Sequence, residues 1–277
     1  MTRVAILGMG AIGQHVANVL AGRCELVRVD RTRAPLRDGE PTVDVAIVTT
    51  KTPGTAWAAE QAARILAPDG VALTIQNGLG NYETLAAALG AERVAVGVIY
   101  VGAGWRKDGT HYVTGPGRIE AGRPSDRAAA ARLEALAGLL RAGKTDVAIV
   151  DDPWPTVWRK LVLNAVLNPT SAVLDATYGE LLGDPGRALL CDAIARESAR
   201  VATAVGYALG DDAAVADWRA LTTAMPEHRS SMHADVAARR PTEIDAINGA
   251  LVREAARHGL RAPANQALTV LVPALGG

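Results

Sequence analysis

The 277-residue chain has no excess charge of either sign and almost no cysteine. Lys+Arg and Asp+Glu both number 29, so no overall field attracts nucleic acid or an anionic membrane, and any anion must be bound by local groups. Cys24 and Cys191 lie far apart and form no C-x-x-C pair. This spacing argues against a disulfide framework, a zinc ribbon and a thiol redox centre, and it suits a reducing compartment.

Long apolar runs and metal-ligand spacings are also missing. No apolar run reaches about 18 residues, and Met1 leads almost directly into an apolar strand without a basic segment and a cleavage site. We therefore expect a cytoplasmic protein without a membrane or nucleic-acid partner, while the sequence leaves a homodimer open. We predict no metal site, because none of the histidines has metal-ligand spacing: His15, His111, His228, His233 and His258.

A glycine-rich motif follows the first apolar run. The run Arg3–Gly8 predicts a strand buried on both faces, and it continues into G-M-G-A-I-G. Gly8, Gly10 and Gly13 thereby have G-x-G-x-x-G spacing. Gly8 would make the tight turn, Gly10 would let the backbone approach a diphosphate, and Gly13 would let the next helix lie close to the sheet.

The context of this motif favours a dinucleotide site over a chance glycine turn. A helix predicted over Gln14–Ala21 would direct N-terminal N–H groups, with the backbone of Ala11 and Ile12, at the diphosphate. A second strand, Glu25–Asp30, ends 22 positions after Gly8. A strand, a glycine turn, a helix and a strand in this order predict a Rossmann-type dinucleotide-binding domain.

The end of the second strand leaves the choice of dinucleotide open. Asp30 suits NAD, because an acid there accepts hydrogen bonds from the ribose hydroxyls and repels a 2′-phosphate. Arg31 and Arg33 could instead pair with that phosphate, or Arg31 could stack on adenine while Arg33 is solvated. We expect an abbreviated loop over Arg31–Thr42, which is short and rich in proline and turn formers.

Two further strand ends carry polar residues. Lys51 follows the predicted strand Val43–Thr50, and Asn77 follows the predicted strand Val71–Ile75 within Q-N-G-L-G. Ligands of open α/β sheets gather at the carboxyl ends of strands, so Asn77 could reach the nicotinamide or a substrate oxygen. The alternatives are a solvated loop lysine and a plain Asn-Gly turn.

The chain changes character at D-D-P-W-P, residues 151–155. Before it, strand-like and helix-like segments alternate, and after it the pattern is helical nearly throughout. We predict a parallel α/β dinucleotide-binding domain over 1–152, an all-α domain over 153–277 and an active site in the cleft between them. The predicted later elements are strands Arg93–Val101 and Asp146–Val150 and helices Asp126–Leu140, Arg187–Val205, Ala213–Thr223, Ser230–Ala238 and Glu243–His258, the last capped by Thr242.

The stretch Trp158–Pro169, W-R-K-L-V-L-N-A-V-L-N-P, predicts an unusual helix. Lys160, Asn164 and Asn168 recur every fourth position, so they share one stripe on an otherwise mostly apolar helix. The stripe could simply face water. A buried unpaired amide costs about 1–3 kcal/mol, however, and a lysine held in a cleft is a natural proton donor beside a hydride donor.

The assembled motifs resemble the ketopantoate reductase (2-dehydropantoate 2-reductase) family over almost the whole chain. The shared motifs are G-M-G-A-I-G, T-K-T, Q-N-G-L-G, the lysine helix and S-S-M-H-A-D-V-A-A-R-R-P-T-E-I-D-A-I-N-G at 230–249. A lysine with an asparagine four residues later also occurs in β-hydroxyacid and 6-phosphogluconate dehydrogenases. The segment at 230–249 is much more particular to ketopantoate reductases.

The resemblance implies the reduction of ketopantoate to pantoate, a step of pantothenate biosynthesis. Lys160 would be the general acid that protonates the C2 oxygen, and Glu243 would hold Lys160 and accept hydrogen bonds from substrate hydroxyls. Ser231 would contact the substrate carboxylate, although Ser230 and Ser231 could be plain N-cap residues and Glu243 a first-turn acid. Lys51 would lie near the nicotinamide and the carboxylate, and three carboxamides would line the pocket: Asn77, Asn164 and Asn168.

Two residues depart from the family pattern, and they bear on the identity of the substrate and the cofactor more than on the class of reaction. Relatives commonly have an asparagine where Tyr178 stands, and many have an apolar or small residue at the position of Asp30 and prefer NADPH. The resemblance thus favours NADPH as the cofactor, and Asp30 leaves the use of NADH possible. Alternatives are the reduction of another 2-oxo acid or an imine on the same fold, and a dinucleotide sensor without turnover.

Overall fold

The computed structural model describes residues 1–30, 42–106, 108–115 and 117–275. Its contacts divide the chain into two compact units. The first consists of Met1–Gln76 and Gly80–Pro153, and the second of Asn77–Leu79 and Trp154–Gly277. The interpretations that concern Arg31, Arg33 and the loop after Asp30 fall outside the described residues.

A sheet in the order β2-β1-β3-β4-β5-β8-β9 forms the centre of the first unit. Its core strands are buried on both faces, as Val4, Ala5, Ile6 and Leu7 of the first strand show with no exposed surface. The strands are β1 (Arg3–Leu7), β2 (Glu25–Val29), β3 (Val43–Val48), β4 (Leu66–Thr74), β5 (Val94–Tyr100), β6 (Ala103–Trp105), β7 (His111–Val113), β8 (Arg118–Gly122) and β9 (Asp146–Val150).

The sheet is mostly parallel, as predicted for this domain, with one antiparallel pairing that the sequence did not predict. Strands β1 to β5 pair in parallel, whereas β8 runs antiparallel to β5 and parallel to β9. The chain passes from β5 to β8 through the β6–β7 hairpin without a crossover helix, so β8 returns in the opposite direction. The helices of this unit are α1 (Ala11–Leu20), α2 (Thr55–Ile65), α3 (Asn81–Leu89) and α4 (Arg127–Ala142).

The second unit is all-α over its described residues, which confirms the predicted fold class. Its long central helix contributes Leu161 and Val162 to a buried cluster that also contains Trp218. The helices are α5 (Trp154–Val173), α6 (Tyr178–Gly183), α7 (Pro185–Val205), α8 (Asp211–Ala224), α9 (Ser231–Ala237), α10 (Ile244–Arg257) and α11 (Pro263–Ala274). No helix within the described ranges is long and apolar enough to cross a membrane.

Two helix starts in this unit differ from the expectation. Helix α10 begins at Ile244 with Glu243 in the N-cap position, so Thr242 is not the cap. Helix α6 was not expected, and it begins with a capping box in which Thr177 and Glu180 exchange side-chain and backbone hydrogen bonds. The capping signal was present in the sequence, but its segment is too short to show helical periodicity.

Candidate active site

The glycine loop of the first unit leaves room where a diphosphate would lie. An added Cβ at Gly13 would lie 2.0 Å from the Gly8 carbonyl oxygen, so the loop and α1 are in close contact. Gly8 adopts a φ of +107°, and its Cβ would meet the Thr50 nitrogen at 2.7 Å. Around Gly10, by contrast, the space is open. The first turn of α1 has no side-chain cap, which leaves its N–H groups available to an anion.

Polar groups of the first unit gather at the carboxyl ends of its strands. Thr49 donates from its hydroxyl to the Gly8 carbonyl at 2.6 Å, which fixes the loop against β3. Gln76 donates to the Thr50 carbonyl and to the Thr55 hydroxyl, each at 2.8 Å. Lys51 is exposed just before a short 3₁₀ turn, and Asp30 directly follows β2.

In the second unit, the three polar residues of the α5 stripe are buried to different extents. Lys160 and Asn164 are partly buried, and Asn168 is 5% exposed. Burial lowers the pKa of Lys160 to about 8, although the nearby carboxylate of Glu243 partly offsets this effect by favouring the charged form. The ammonium therefore gives up its proton more readily than an ordinary lysine does.

The Asn77 carboxamide connects α5 with the start of α10. Asn164 donates from Nδ2 to Asn77 Oδ1 at 3.4 Å, and Asn77 Nδ2 donates to Glu243 Oε2 at 3.5 Å. Both hydrogen bonds are long, but they point in one direction and end on the carboxylate. The structure thus brings together four of the predicted site residues: Lys160, Asn164, Asn77 and Glu243.

The loop that carries Asn77 is fixed onto α10. The Leu79 N–H donates to the Ala246 carbonyl at 2.9 Å. Gly78 has a φ of +83°, and a Cβ there would lie 2.6 Å from the Ala246 carbonyl oxygen. A residue with a side chain would therefore strain the backbone and collide with α10. The glycine of the Asn-Gly pair thus has a packing role beyond making a turn.

Ser230 and Ser231 have different environments. Ser230 is buried, caps α9 by accepting a hydrogen bond from the His233 N–H at 3.0 Å, and donates from its hydroxyl to the Asn168 carbonyl at 3.0 Å. Ser231 is exposed at the first position of α9. The structural N-cap role thus belongs to Ser230 and not to Ser231.

Tyr178, which stands where relatives commonly have an asparagine, forms an aromatic pair with His228. The Tyr178 ring contacts the His228 ring edge-on, with centroids 5.0 Å apart, and the Tyr178 N–H donates to the His228 carbonyl at 2.9 Å. Burial raises the pKa of the phenol and lowers the pKa of the imidazole, so both groups are neutral at pH 7. His228 was not among the expected site residues, and its proximity to the S-S-M segment was the only signal for it.

A Rossmann-type unit followed by a helical unit that holds a lysine beside a glutamate and two carboxamides is the arrangement of a two-domain oxidoreductase. The sequence profile of the ketopantoate reductase PanE/ApbA family matches residues 34–126, and the profile of its C-terminal domain matches residues 153–276. The chain belongs to the ketopantoate reductase family.

Individual relatives agree with this assignment over nearly the full length. The chain is 30% identical over 299 residues to the 2-dehydropantoate 2-reductase of Halobacterium salinarum, which covers 98% of this chain and 97% of the relative. It is 30% identical over 291 residues to that of Archaeoglobus fulgidus, with coverages of 98% and 96%. The solved 2-dehydropantoate 2-reductase from Geobacter metallireducens is 29% identical, with a TM-score of 0.88 and coverages of 98% and 99%.

Proposed function

We propose that the chain reduces 2-dehydropantoate to pantoate with a nicotinamide dinucleotide as reductant. The observation that supports this most is the position of Lys160, an acid with a pKa lowered to about 8, beside the carboxylate of Glu243. Reduction of a ketone builds negative charge on its oxygen, and an ammonium next to that oxygen stabilises the charge and delivers a proton.

The residues of the first unit fit the dinucleotide. The diphosphate would be bound by the open loop at Gly10 and by the first-turn N–H groups of α1. When bound, the nicotinamide supplies the hydride. Asp30, directly after β2, would accept hydrogen bonds from the ribose hydroxyls of NADH, while family membership favours NADPH. Lys51 would contribute positive charge toward the cofactor or the substrate carboxylate.

Proton delivery is the main task of the second unit. Lys160 Nζ transfers a proton to the C2 oxygen, so that an N–H bond breaks and an O–H bond forms, and the neutral amine recovers its proton from water. A pKa of about 8 keeps most of the lysine protonated at neutral pH and makes transfer easier than at the ordinary value. Glu243 maintains the charged form between turnovers.

The carboxamides and Ser231 would orient the substrate. Asn164 donates to Asn77 and Asn77 donates to Glu243, and both hydrogen bonds are long. Each amide can therefore exchange its hydrogen bond for one to a substrate oxygen. The Asn168 side chain is buried and has no hydrogen-bond partner among the described residues, which leaves its carboxamide available to a ligand. Ser231, exposed at the start of α9, would donate to the substrate carboxylate.

Steady-state kinetics test this proposal. We expect a kcat/KM for 2-dehydropantoate of about 10⁴ M⁻¹s⁻¹ or more, and a much lower value for 2-oxoisovalerate, which lacks the hydroxymethyl group of that substrate. Lys160→Ala should lower kcat by about 100-fold or more while dinucleotide affinity stays unchanged. An unaltered kcat would remove Lys160 from the chemistry. Dinucleotide binding without any ketone reduction would instead identify a sensor.

The pair of Tyr178 and His228 favours a second candidate, a reductase of another 2-oxo acid. The Tyr178 phenol is 6% exposed and has no hydrogen-bond partner among the described residues. Both rings are neutral and offer mostly apolar surface. A panel of aliphatic and aromatic 2-oxo acids separates the candidates, because a kcat/KM higher than that of 2-dehydropantoate would identify the better substrate.

A further inference from the structure

Helix α5 contains a proline that removes one of its own hydrogen bonds. In an α-helix the N–H of residue 169 would donate to the carbonyl of residue 165, but Pro169 has no N–H. The Ala165 carbonyl therefore loses its regular helical donor. It lies directly after Asn164 and is fully buried, where an unpaired carbonyl is costly.

A side chain from another helix supplies the missing donor. Asn248 of α10 donates from Nδ2 to the Ala165 carbonyl oxygen at 3.0 Å. The same Nδ2 donates to Asn265 Oδ1 at 2.9 Å, so both partners are acceptors and the amide must have its nitrogen on this side. Asn248 has no exposed surface, and its Oδ1 has no partner within the described part of the chain.

The amide is held in place by a polarised chain of hydrogen bonds. Asn265 of α11 donates from Nδ2 to Glu197 Oε1 at 2.8 Å and to the Ser198 hydroxyl at 3.1 Å. The Asn265 N–H also donates to Glu197 Oε1 at 2.8 Å. The carboxylate thus fixes Asn265, and Asn265 fixes the donor that reaches α5. Four helices, α7, α11, α10 and α5, are linked at this one position.

We propose that Asn248 is a positioning residue that completes α5 at the Pro169 break and thereby fixes the Lys160 stripe relative to Glu243. Its hydrogen bond joins α5 next to Asn164 with α10, the helix whose N-cap is Glu243. Rotation or translation between these helices would move the ammonium relative to the carboxylate and the reacting oxygen. The catalytic part of this proposal rests on the proposed function, whereas the repair of the helix does not.

A double-mutant cycle tests the repair directly. Asn248→Leu removes the donor with little change in volume, and Pro169→Ala returns an N–H to the Ala165 carbonyl. We expect Asn248→Leu to lower the Tm by about 4 °C or more in the parent and by less than about half as much with Pro169→Ala present. Equal losses in both backgrounds would overturn the proposed repair.

Kinetics of the same four proteins test the positioning. Well below the Tm, Asn248→Leu should lower kcat about tenfold while the dinucleotide Kd stays unchanged, and Pro169→Ala should restore most of that loss. Thr222→Val is the matched control, since Thr222 is fully buried and, within the described residues, its hydroxyl bonds only to carbonyls of its own helix, α8. It should lower the Tm without lowering kcat.

The outcomes separate failure of this proposal from failure of the proposed function. A parent enzyme without reductase activity refutes the function, while the Tm cycle still decides the repair. An unchanged kcat in folded Asn248→Leu refutes the positioning role. If Asn248→Leu does not fold, Asn248→Ser takes its place in the cycle, because its shorter hydroxyl cannot reach both partners.

Discussion

The pKa of Lys160 should depend on the charge of Glu243, and Glu243→Gln tests this dependence. The substitution removes a charge with little change in shape, and the Gln carbonyl can still accept the hydrogen bond from Asn77. Burial lowers the Lys160 pKa from 10.5 to about 8 despite the opposing effect of Glu243. An opposite charge nearby typically shifts a pKa by about 1–3 units, so its loss should lower the Lys160 pKa further, to about 7 or below.

The assay is the pH dependence of kcat for reduction, followed by dinucleotide absorbance with both substrates saturating. The reduction needs protonated Lys160, so kcat should fall as pH rises through about 8 in the parent and about one unit lower in Glu243→Gln. The reverse oxidation needs the neutral amine and should show the opposite slope. A shift of one unit corresponds to about 1.4 kcal/mol of lost stabilisation of the ammonium.

Asp245→Asn is the matched control for this prediction. Asp245 lies in the first turn of the same helix and is exposed, so its removal changes the net charge equally without acting on Lys160. The control should keep the break near pH 8. An unmoved break in Glu243→Gln, or an equal movement in both variants, would refute the idea that this carboxylate sustains the ammonium.

Three other perturbations have definite expected results. Lys160→Met should abolish activity yet stabilise the fold at pH 7 by about 1–3 kcal/mol, because the folded pKa of about 8 lies below the unfolded value of 10.5 and burial of the charged form is costly. In urea unfolding, the free energy of unfolding of the parent should rise between about pH 8 and 10.5 and approach that of Lys160→Met. Equal free energies of unfolding for the two proteins at pH 7 would contradict the reasoning. Gly13→Ala should weaken dinucleotide binding about tenfold or more in calorimetry, because its Cβ would lie 2.0 Å from the Gly8 carbonyl oxygen, whereas Gly138→Ala on α4 meets no atom within 4 Å and should leave binding intact. Asp30→Ala should raise the KM for NADH about tenfold without raising that for NADPH, and an unchanged KM for NADH would mean that Asp30 does not contact the ribose.

Local periodicity was sufficient to predict the fold class of each unit and the polar stripe on α5. The glycine spacing after β1 and the four-residue spacing of Lys160, Asn164 and Asn168 each follow from the geometry of one element, so a single sequence carries them. Strand direction is different. The sequence of β8, R-I-E-A-G, suits a parallel or an antiparallel strand equally, and only the connection through β6 and β7 determines its direction.

Contacts over long sequence separations were not predictable from pattern. The approach of Asn77 to Glu243 joins residues 166 positions apart, and only the family resemblance placed them in one site. Pro169 indicates that the Ala165 carbonyl lacks its helical hydrogen-bond donor, but nothing in the sequence identifies Asn248 as the replacement. The roles assigned to Lys51, Ser231 and Asp30 stay predictions until ligands are bound.

The short segment Asn77–Leu79 has a consequence for dividing or recombining this protein. The backbone crosses between the units three times, after Gln76, after Leu79 and after Pro153, so the helical half is not a contiguous piece of chain. A fragment that begins at Trp154 would lack the carboxamide between Asn164 and Glu243 and would leave the Ala246 carbonyl without the Leu79 N–H. Chimeras with other members of the family should therefore exchange the Q-N-G-L-G loop together with the helices, although some 75 residues of sequence separate them.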